Sequence, residues 1–186
     1  MAKAARKLTD DEGTFLALLN RIEPTSAYQI SKIYSDSPVS TFGTSKGKIY
    51  PMIRRLIGHG LVKATKDKSD SRGTEHLTCT AQGREAVRQW VKEMKASHFL
   101  LNDPLRTKVQ SFDLLTHDEQ IEWIADAKAG LQSKLQELES YALVVDVPFK
   151  DTVHDNAVSS VRFRLDWLDR LLVDVVRGSR QKRIPG

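Results

Sequence analysis

Apolar residues near the start of the chain follow the spacing of an amphipathic helix. They are Phe15, Leu16, Leu19 and Ile22. Thr9 and Glu12 precede them with the spacing of a capping box, in which the hydroxyl and the carboxylate each bond a free backbone N–H. A first helix is therefore predicted to begin after Thr9 and to end before Pro24.

A second, shorter helix is predicted after Pro24. Ser26 and Gln29 repeat the capping-box spacing, and Ser37-Pro38 is expected to stop the helix. The residues expected to face inward are Ala27, Ile30, Ile33 and Tyr34.

A third helix is predicted to begin near Ser45. Its expected buried stripe is Ile49, Met52, Ile53, Leu56 and Ile57. Pro51 costs little if it lies near the first turn, whereas a deeper position would bend the helix. Gly58-His59-Gly60 is the predicted C-terminal stop.

Two short strands and a polar turn follow the third helix. Leu61–Thr65 is predicted as the first strand, residues 66–73 as the turn, and His76–Thr80 as the second strand. Leu77 and Cys79 are expected on its inward face. A helix is predicted next, and its apolar residues are Ala86, Val87, Trp90, Val91 and Met94.

This order of elements is that of a winged helix-turn-helix. The second and third helices form the turn unit, and the strand pair forms the wing. The predicted fold class is therefore mainly α with a small β-wing, and residues 1–101 are predicted to form a DNA-binding domain.

The chain beyond Asn102-Asp103-Pro104 has the pattern of a helical, coiled-coil-like region, so residues 102–186 are predicted to form a dimerisation and effector domain. Heptad-like spacing first joins Leu131, Leu135, Leu138, Ala142 and Val145. Residues 146–155 break the pattern around Pro148. A second narrow seam, predicted to hold two chains together, consists of Val158, Val161, Leu165, Leu168, Leu172 and Val175.

Charge is distributed unevenly over the 186 residues. Residues 1–95 contain 17 Lys and Arg against 10 Asp and Glu, whereas residues 96–186 contain 12 against 14. The basic excess of the front half favours a polyanionic partner there.

Other features exclude several classes of protein. No apolar run of about 18 residues or signal peptide is present, so no membrane association and a cytoplasmic location are expected. The single cysteine, Cys79, excludes an intramolecular disulfide and is expected to be a small buried residue; a redox sensor is the alternative. The five histidines lack metal-ligand spacing, and no phosphate loop or nucleophile–base set is found, so no metal, cofactor or catalytic residue is predicted.

Four segments resemble the PadR family of bacterial transcription regulators. They are LTDDEGTFLALL (8–19), SAYQI (26–30), SKGKIYPMIRRLIGHGLV (45–62) and TAQGREAVRQW (80–90). The third is the most specific, with a Tyr-Pro pair, two basic residues and a Gly-Leu-Val exit. Asp103-Pro104-Leu105 and a late helix containing Trp167 also resemble the longer members of the family.

The resemblance implies a winged-helix dimer that usually represses a neighbouring operon and responds to a small aromatic or drug-like molecule. Two positions depart from the family pattern: Leu77 stands where an aromatic residue is frequent, and Cys79 where leucine is frequent. The wing tip also has less proline and arginine than is usual in the family.

The third helix is expected to enter the major groove of DNA. Ser45, Lys46 and Lys48 lie at its N-terminal end, where side chains reach base edges and phosphate, and Arg54 and Arg55 lie off the apolar stripe. For each charged residue, ordinary solvated surface is the alternative.

Further contacts with DNA are predicted for two tyrosines and for the wing. Tyr28 and Tyr50 are candidates, with partial packing in the core as the alternative for both. Lys66, Lys68 and Arg72 are expected near the DNA backbone or minor groove, although Asp67 and Asp70 interrupt their charge. Trp90 is the preferred effector contact, and core packing is its alternative, as it is for Trp123 and Trp167.

The leading hypothesis is a dimeric repressor that binds double-stranded DNA at an inverted repeat, since two-fold symmetry in the protein requires two-fold symmetry in its operator. A protein-interaction module that uses the winged helix without DNA specificity is the alternative. An enzyme built on the helical half is a third hypothesis, which no motif requires.

Overall fold

The computed structural model describes residues 6–40, 42, 45–66 and 74–182, except for the side chains of Lys46 and residues 179–182. The chain divides into two compact units, Met1–Phe99 and Leu100–Gly186. Within the described residues, none of the helices is long and apolar enough to cross a membrane.

In the part that the structure describes, the first unit contains four α-helices, a short 3-10 helix (Ala96–Phe99) and a two-stranded sheet. The elements are α1 (Asp10–Ile22), α2 (Ala27–Asp36), α3 (Lys46–Gly58), β1 (Val62–Lys66), β2 (Glu75–Cys79) and α4 (Ala81–Lys92). The strands are antiparallel and in register from Val62 opposite Cys79 to Lys66 opposite Glu75. This is the predicted winged helix-turn-helix, mainly α with a small wing.

Side-chain caps begin α1, α2 and α4 where the sequence predicts them. The reciprocal capping boxes of Thr9 with Glu12 and of Ser26 with Gln29 are both present, and the hydroxyl of Thr80 accepts a bond from the backbone of Gly83. These side chains satisfy N–H groups that have no partner within the helix.

The C-terminal end of α3 is a left-handed stop at Gly60. Gly60 has φ 72°, and its N–H donates to the Ile57 carbonyl at 2.8 Å. The N–H of Leu61 reaches back to the Leu56 carbonyl at 2.9 Å. This Schellman arrangement requires a residue that tolerates positive φ, as predicted for Gly58-His59-Gly60.

Both predicted strands are displaced by one residue in the structure. Because the N–H of Leu61 completes the end of α3, β1 begins at Val62 and extends to Lys66. Because Thr80 caps α4, β2 covers Glu75–Cys79. Thr25 adds an isolated bridge to β2 by exchanging two backbone hydrogen bonds with Leu77, at 2.8 and 3.3 Å.

A single apolar core joins α1, α2, α3 and α4 to the wing. Its members are Leu8, Phe15, Leu16, Leu19, Ile30, Ile49, Met52, Ile53, Leu56, Leu61, Val62, Leu77, Cys79 and Ala86. Ile33 and Ile57, which were predicted to face inward, are exposed instead, as are Val91 and Met94 among the apolar residues of the predicted fourth helix. The predicted stripes were wider than the packed face of each helix, and Met94 lies beyond the end of α4.

The second unit is dominated by two long helices. Its described α-helices are α5 (Pro104–Val109), α6 (His117–Val144) and α7 (Lys150–Lys182), and a short 3-10 helix covers Phe112–Leu114. One apolar cluster of α6 and α7 surrounds Ile124 and Leu168, and another joins Leu138 to Val158. The break predicted over residues 146–155 is shorter than expected, because α7 already begins at Lys150.

The seam predicted to join two chains packs against α6 of the same chain. Val158, Val161 and Leu165 lie in the cluster around Leu138, whereas Leu168, Leu172 and Val175 lie in the cluster around Ile124. Leu168 is fully buried without any partner chain. Val158, Val161 and Leu168 are thus buried within the chain itself, whereas Leu165, Leu172 and Val175 are half-buried, and the assignment of the seam to a dimer contact stays a prediction.

Candidate nucleic-acid interface

The buried stripe of α3 determines which of its side chains remain available. Ile49, Met52, Ile53 and Leu56 are buried on one side of the helix. Lys48, Tyr50, Arg54 and Arg55 are exposed, as is Ser45, which precedes the helix without a side-chain cap bond. Lys46 is the first helical residue, and its side chain lies outside the described residues.

Pro51 is the sixth residue of α3 and therefore lies inside the helix. It supplies no N–H to the carbonyl four residues earlier. The helix nevertheless continues to Gly58, so Pro51 does not end it.

The two predicted tyrosines line one cleft beside α3. Both side chains are exposed, so neither belongs to the core. The cleft has a volume of about 490 Å³ and is lined by Ser26, Ala27, Tyr28, Tyr50, Ile53, Thr74, Glu75 and Leu77. It lies where the start of α2, the side of α3 and the second wing strand meet.

The wing presents fewer described candidates. Lys66 is exposed at the end of β1, opposite the exposed Glu75. Lys68 and Arg72 lie outside the described residues, so their predicted contacts stay predictions.

A buried carboxylate that sequence reasoning treated only as a cap lies behind α3. The Glu12 side chain is 2% exposed, and its Oε1 lies 3.0 Å from Arg6 and 3.8 Å from Nε of Arg55. Its Oε2 accepts the N–H of Thr9 at 3.2 Å. The spacing of Glu12 to Phe15, Leu16 and Leu19 places it on the buried face of α1, which is the signal that predicts its burial.

Trp90 is held by its polar edge and by one face of its ring. Its Nε1 donates to Oδ1 of Asp10 at 3.1 Å, and Lys95 donates to the same oxygen at 2.7 Å. The hydrogen bond from Lys95, followed by that from Trp90, lowers the pKa of the Asp10 carboxyl. A Cβ on Gly13 would lie 2.3 Å from the indole ring, so the ring packs directly on the backbone of α1.

Cys79 is a buried free thiol at the end of β2, as predicted. Burial raises its pKa, and the nearby carboxylate of Glu23 raises it further. The same carboxylate accepts bonds from the backbone N–H of Cys79 and from Arg84. A raised pKa disfavours the thiolate, so the environment does not favour the redox-sensor alternative.

Residues 15–89 match the family model described as Transcriptional regulator PadR-like family. The chain carries a PadR-like domain. The matched segment extends from α1 to α4 and includes α3, both strands of the wing and the tyrosine-lined cleft. Among curated protein sequences, none matches the chain.

Solved PadR structures share the fold of the chain well beyond the PadR-like domain. Bacillus subtilis PadR in complex with operator DNA is 20% identical, with a TM-score of 0.76 over 88% of this chain and 98% of that one. The same protein in complex with p-coumaric acid is 20% identical, with a TM-score of 0.71 over 88% of this chain and 97% of that one. A PadR-like regulator from Bacillus cereus is 19% identical, with a TM-score of 0.71 over 93% of this chain and 99% of that one.

Proposed function

We propose that this chain is a dimeric transcription regulator that binds operator DNA through α3 and its wing. The observation that carries the proposal is the exposed face of α3, where Lys48, Arg54 and Arg55 lie opposite the buried stripe within a PadR-like domain. A helix that presents cations on its exposed face suits the major groove and its phosphates. Solved Bacillus subtilis PadR, which has the same fold, is bound to operator DNA.

The predicted contacts divide into base-reading and backbone-positioning groups. Ser45, Lys46 and Lys48 at the start of α3 are assigned to base edges and adjacent phosphates. Tyr28 and Tyr50 are assigned to the DNA backbone, because their cleft lies between the turn unit and the wing. Lys66, Lys68 and Arg72 are assigned to the backbone or minor groove beside the wing.

Dimerisation is assigned to residues 102–186, and the predicted seam, whose Leu165, Leu172 and Val175 are only half-buried, remains a candidate contact. Phe163 and Val173 of α7 are 65% and 46% exposed, which leaves apolar surface outside the α6–α7 contact. A two-fold dimer requires an inverted-repeat operator with half-sites about 10 base pairs apart or a multiple of this. Operator binding by such a dimer would block transcription. The proposed location is the cytoplasm, where the chromosome lies.

A small aromatic or drug-like effector is proposed to release the operator. Bacillus subtilis PadR has been solved with p-coumaric acid, and Trp90 supplies a partly exposed aromatic ring here. An effector acts only if it binds the DNA-competent and DNA-incompetent forms with different affinities. The contact with Asp10 fixes the indole edge, so the free part of the ring is the surface available to a ligand.

The test is fluorescence anisotropy with a labelled duplex from the region upstream of the gene and a scrambled duplex, at two salt concentrations. Preference for the native duplex, with affinity that falls as salt rises, would support the proposal. Binding to neither duplex at low salt would contradict it and favour the protein-interaction alternative. Lys48→Ala is expected to weaken native binding about tenfold at matched salt, and unchanged affinity would contradict the placement of α3.

A further inference from the structure

Glu12 has more partners than its role as a cap requires. Its cap function is complete when one side-chain oxygen accepts the N–H of Thr9. A neutral side chain performs that role at the start of α2, where Gln29 completes an equivalent box. The cap therefore explains the length of Glu12 but not its negative charge.

Two arginines account for the charge. A buried carboxylate is unfavourable unless cations or hydrogen-bond donors compensate it, and Glu12 is 2% exposed. Arg6 pairs with Oε1 at 3.0 Å from the segment before α1, and Arg55 approaches the same oxygen at 3.8 Å from α3. The carboxylate thus links the helix proposed to bind DNA to the first helix.

The geometry of the second pair leaves the outer part of Arg55 available. Its Nε is the atom nearest to Glu12, at an ion-pair distance too long for a hydrogen bond, and the side chain is 56% exposed. A guanidinium approached from its Nε edge still has two terminal nitrogens, which suit a phosphate. Among the described residues, Arg54 makes no ion pair and so provides a matched neighbour on α3.

We propose that Glu12 is a positioning residue that holds Arg55 on the side of α3, with its terminal nitrogens turned toward a DNA phosphate. The inference rests on the proposed DNA binding. An arginine whose orientation is restricted by a nearby carboxylate loses less conformational freedom when it binds, so removal of the carboxylate weakens binding through Arg55 alone.

A double-mutant cycle on operator affinity tests this proposal. Glu12→Gln keeps the volume and the cap but removes the charge, and it is expected to weaken binding about fivefold in the otherwise natural chain. In an Arg55→Gln background the same change is expected to have an effect of less than about 1.5-fold, whereas in an Arg54→Gln background the full effect should persist. Thr9→Ala weakens the same cap with the carboxylate in place and should leave affinity nearly unchanged.

Three results would overturn the proposal. One is an equal effect of Glu12→Gln with and without Arg55, which indicates a general structural role. Another is unchanged affinity of the Arg55→Gln variant for the operator. That result would exclude a role for Arg55 but would agree with the proposed DNA binding. The third is a natural chain that binds no duplex, which removes the proposed function together with this inference.

If Glu12→Gln does not fold, Arg55→Lys provides the test on a surface residue. Lysine keeps the charge but has no separate Nε edge for the carboxylate to hold. We expect affinity about fivefold lower with an unchanged dependence on salt, since the number of cations is the same. Full affinity in Arg55→Lys would overturn the proposal.

Discussion

The two units of this chain differ in the polar contacts that accompany their apolar cores. In the first unit, a shared apolar core is supplemented by polar groups that cross between elements, such as Glu12 to Arg55 and Glu23 to Cys79 and Arg84. In the second unit, two long helices pack through continuous apolar clusters. Specific polar contacts define a geometry, whereas an apolar seam accepts any facing helix of suitable shape. Heptad spacing alone therefore does not distinguish α6 of the same chain from a helix of a second chain.

The largest expected effect tests whether the seam belongs inside the chain. Leu168→Ala removes a fully buried side chain from the α6–α7 contact and is expected to destabilise the second unit by about 2–5 kcal/mol. Thermal unfolding followed by circular dichroism measures it, and the exposed Leu143→Ala is the control. A loss below about 1 kcal/mol would show that Leu168 is not buried by α6.

A pair of glycine substitutions contrasts close packing with open surface. Gly13→Ala places a Cβ against the ring of Trp90 and is expected to cost about 1–3 kcal/mol, with a shift in tryptophan emission. Gly130→Ala in α6 meets nothing within 4 Å and is expected to stabilise by up to about 1 kcal/mol. Stabilisation by both changes in urea unfolding would contradict the packing of Trp90 on α1.

The proposed dimer surface is tested on the exposed side of α7. Phe163→Glu replaces an exposed apolar side chain, which belongs to neither buried cluster, with a charged one. The change is expected to weaken dimerisation at least about tenfold without unfolding the chain. Sedimentation velocity over a concentration series measures the change. An unaltered dimer would exclude Phe163 from the interface.

The smallest effect concerns a single hydroxyl in the first unit. The Tyr34 hydroxyl donates to the Thr14 carbonyl at 2.8 Å, and burial raises the pKa of Tyr34 to about 12. Because the folded pKa lies above the ordinary value of 10, this contribution is complete below pH 10 and is lost as pH rises toward 12. Tyr34→Phe should cost about 1 kcal/mol at neutral pH and reduce the loss of stability between pH 9 and about 12. An identical alkaline loss in both proteins, measured by urea unfolding, would contradict this assignment.

Local signals in the sequence were sufficient for the elements of the first unit. Thr9, Ser26 and Thr80 each mark a helix start, and Gly60 marks a helix end, because these roles depend on residues within one turn. The exposed positions of Ile33, Ile57, Val91 and Met94 were not predictable in this way, since the width of a buried face depends on the elements that cover it.

The candidate site was predictable in its location but not in its connections. The charges of α3 follow from its helical pattern, and both tyrosines follow from the PadR resemblance. The pairing of Arg55 with Glu12 joins residues 43 positions apart, so no local pattern reveals it. The available signal was the position of Glu12, a charged residue, on the buried face of α1. The capping-box spacing already accounted for a carboxylate there, so the sequence did not lead to its partner.

The bridge between Thr25 and Leu77 has a consequence for how the domain would meet a duplex. Two backbone hydrogen bonds join the connection before α2 to the middle of β2, so the base of the wing cannot slide along the turn unit. We therefore expect α3 and the described strands of the wing to keep a constant span. A duplex whose groove width departs from that span must itself deform, and the energy of that deformation depends on base composition at positions that no side chain touches.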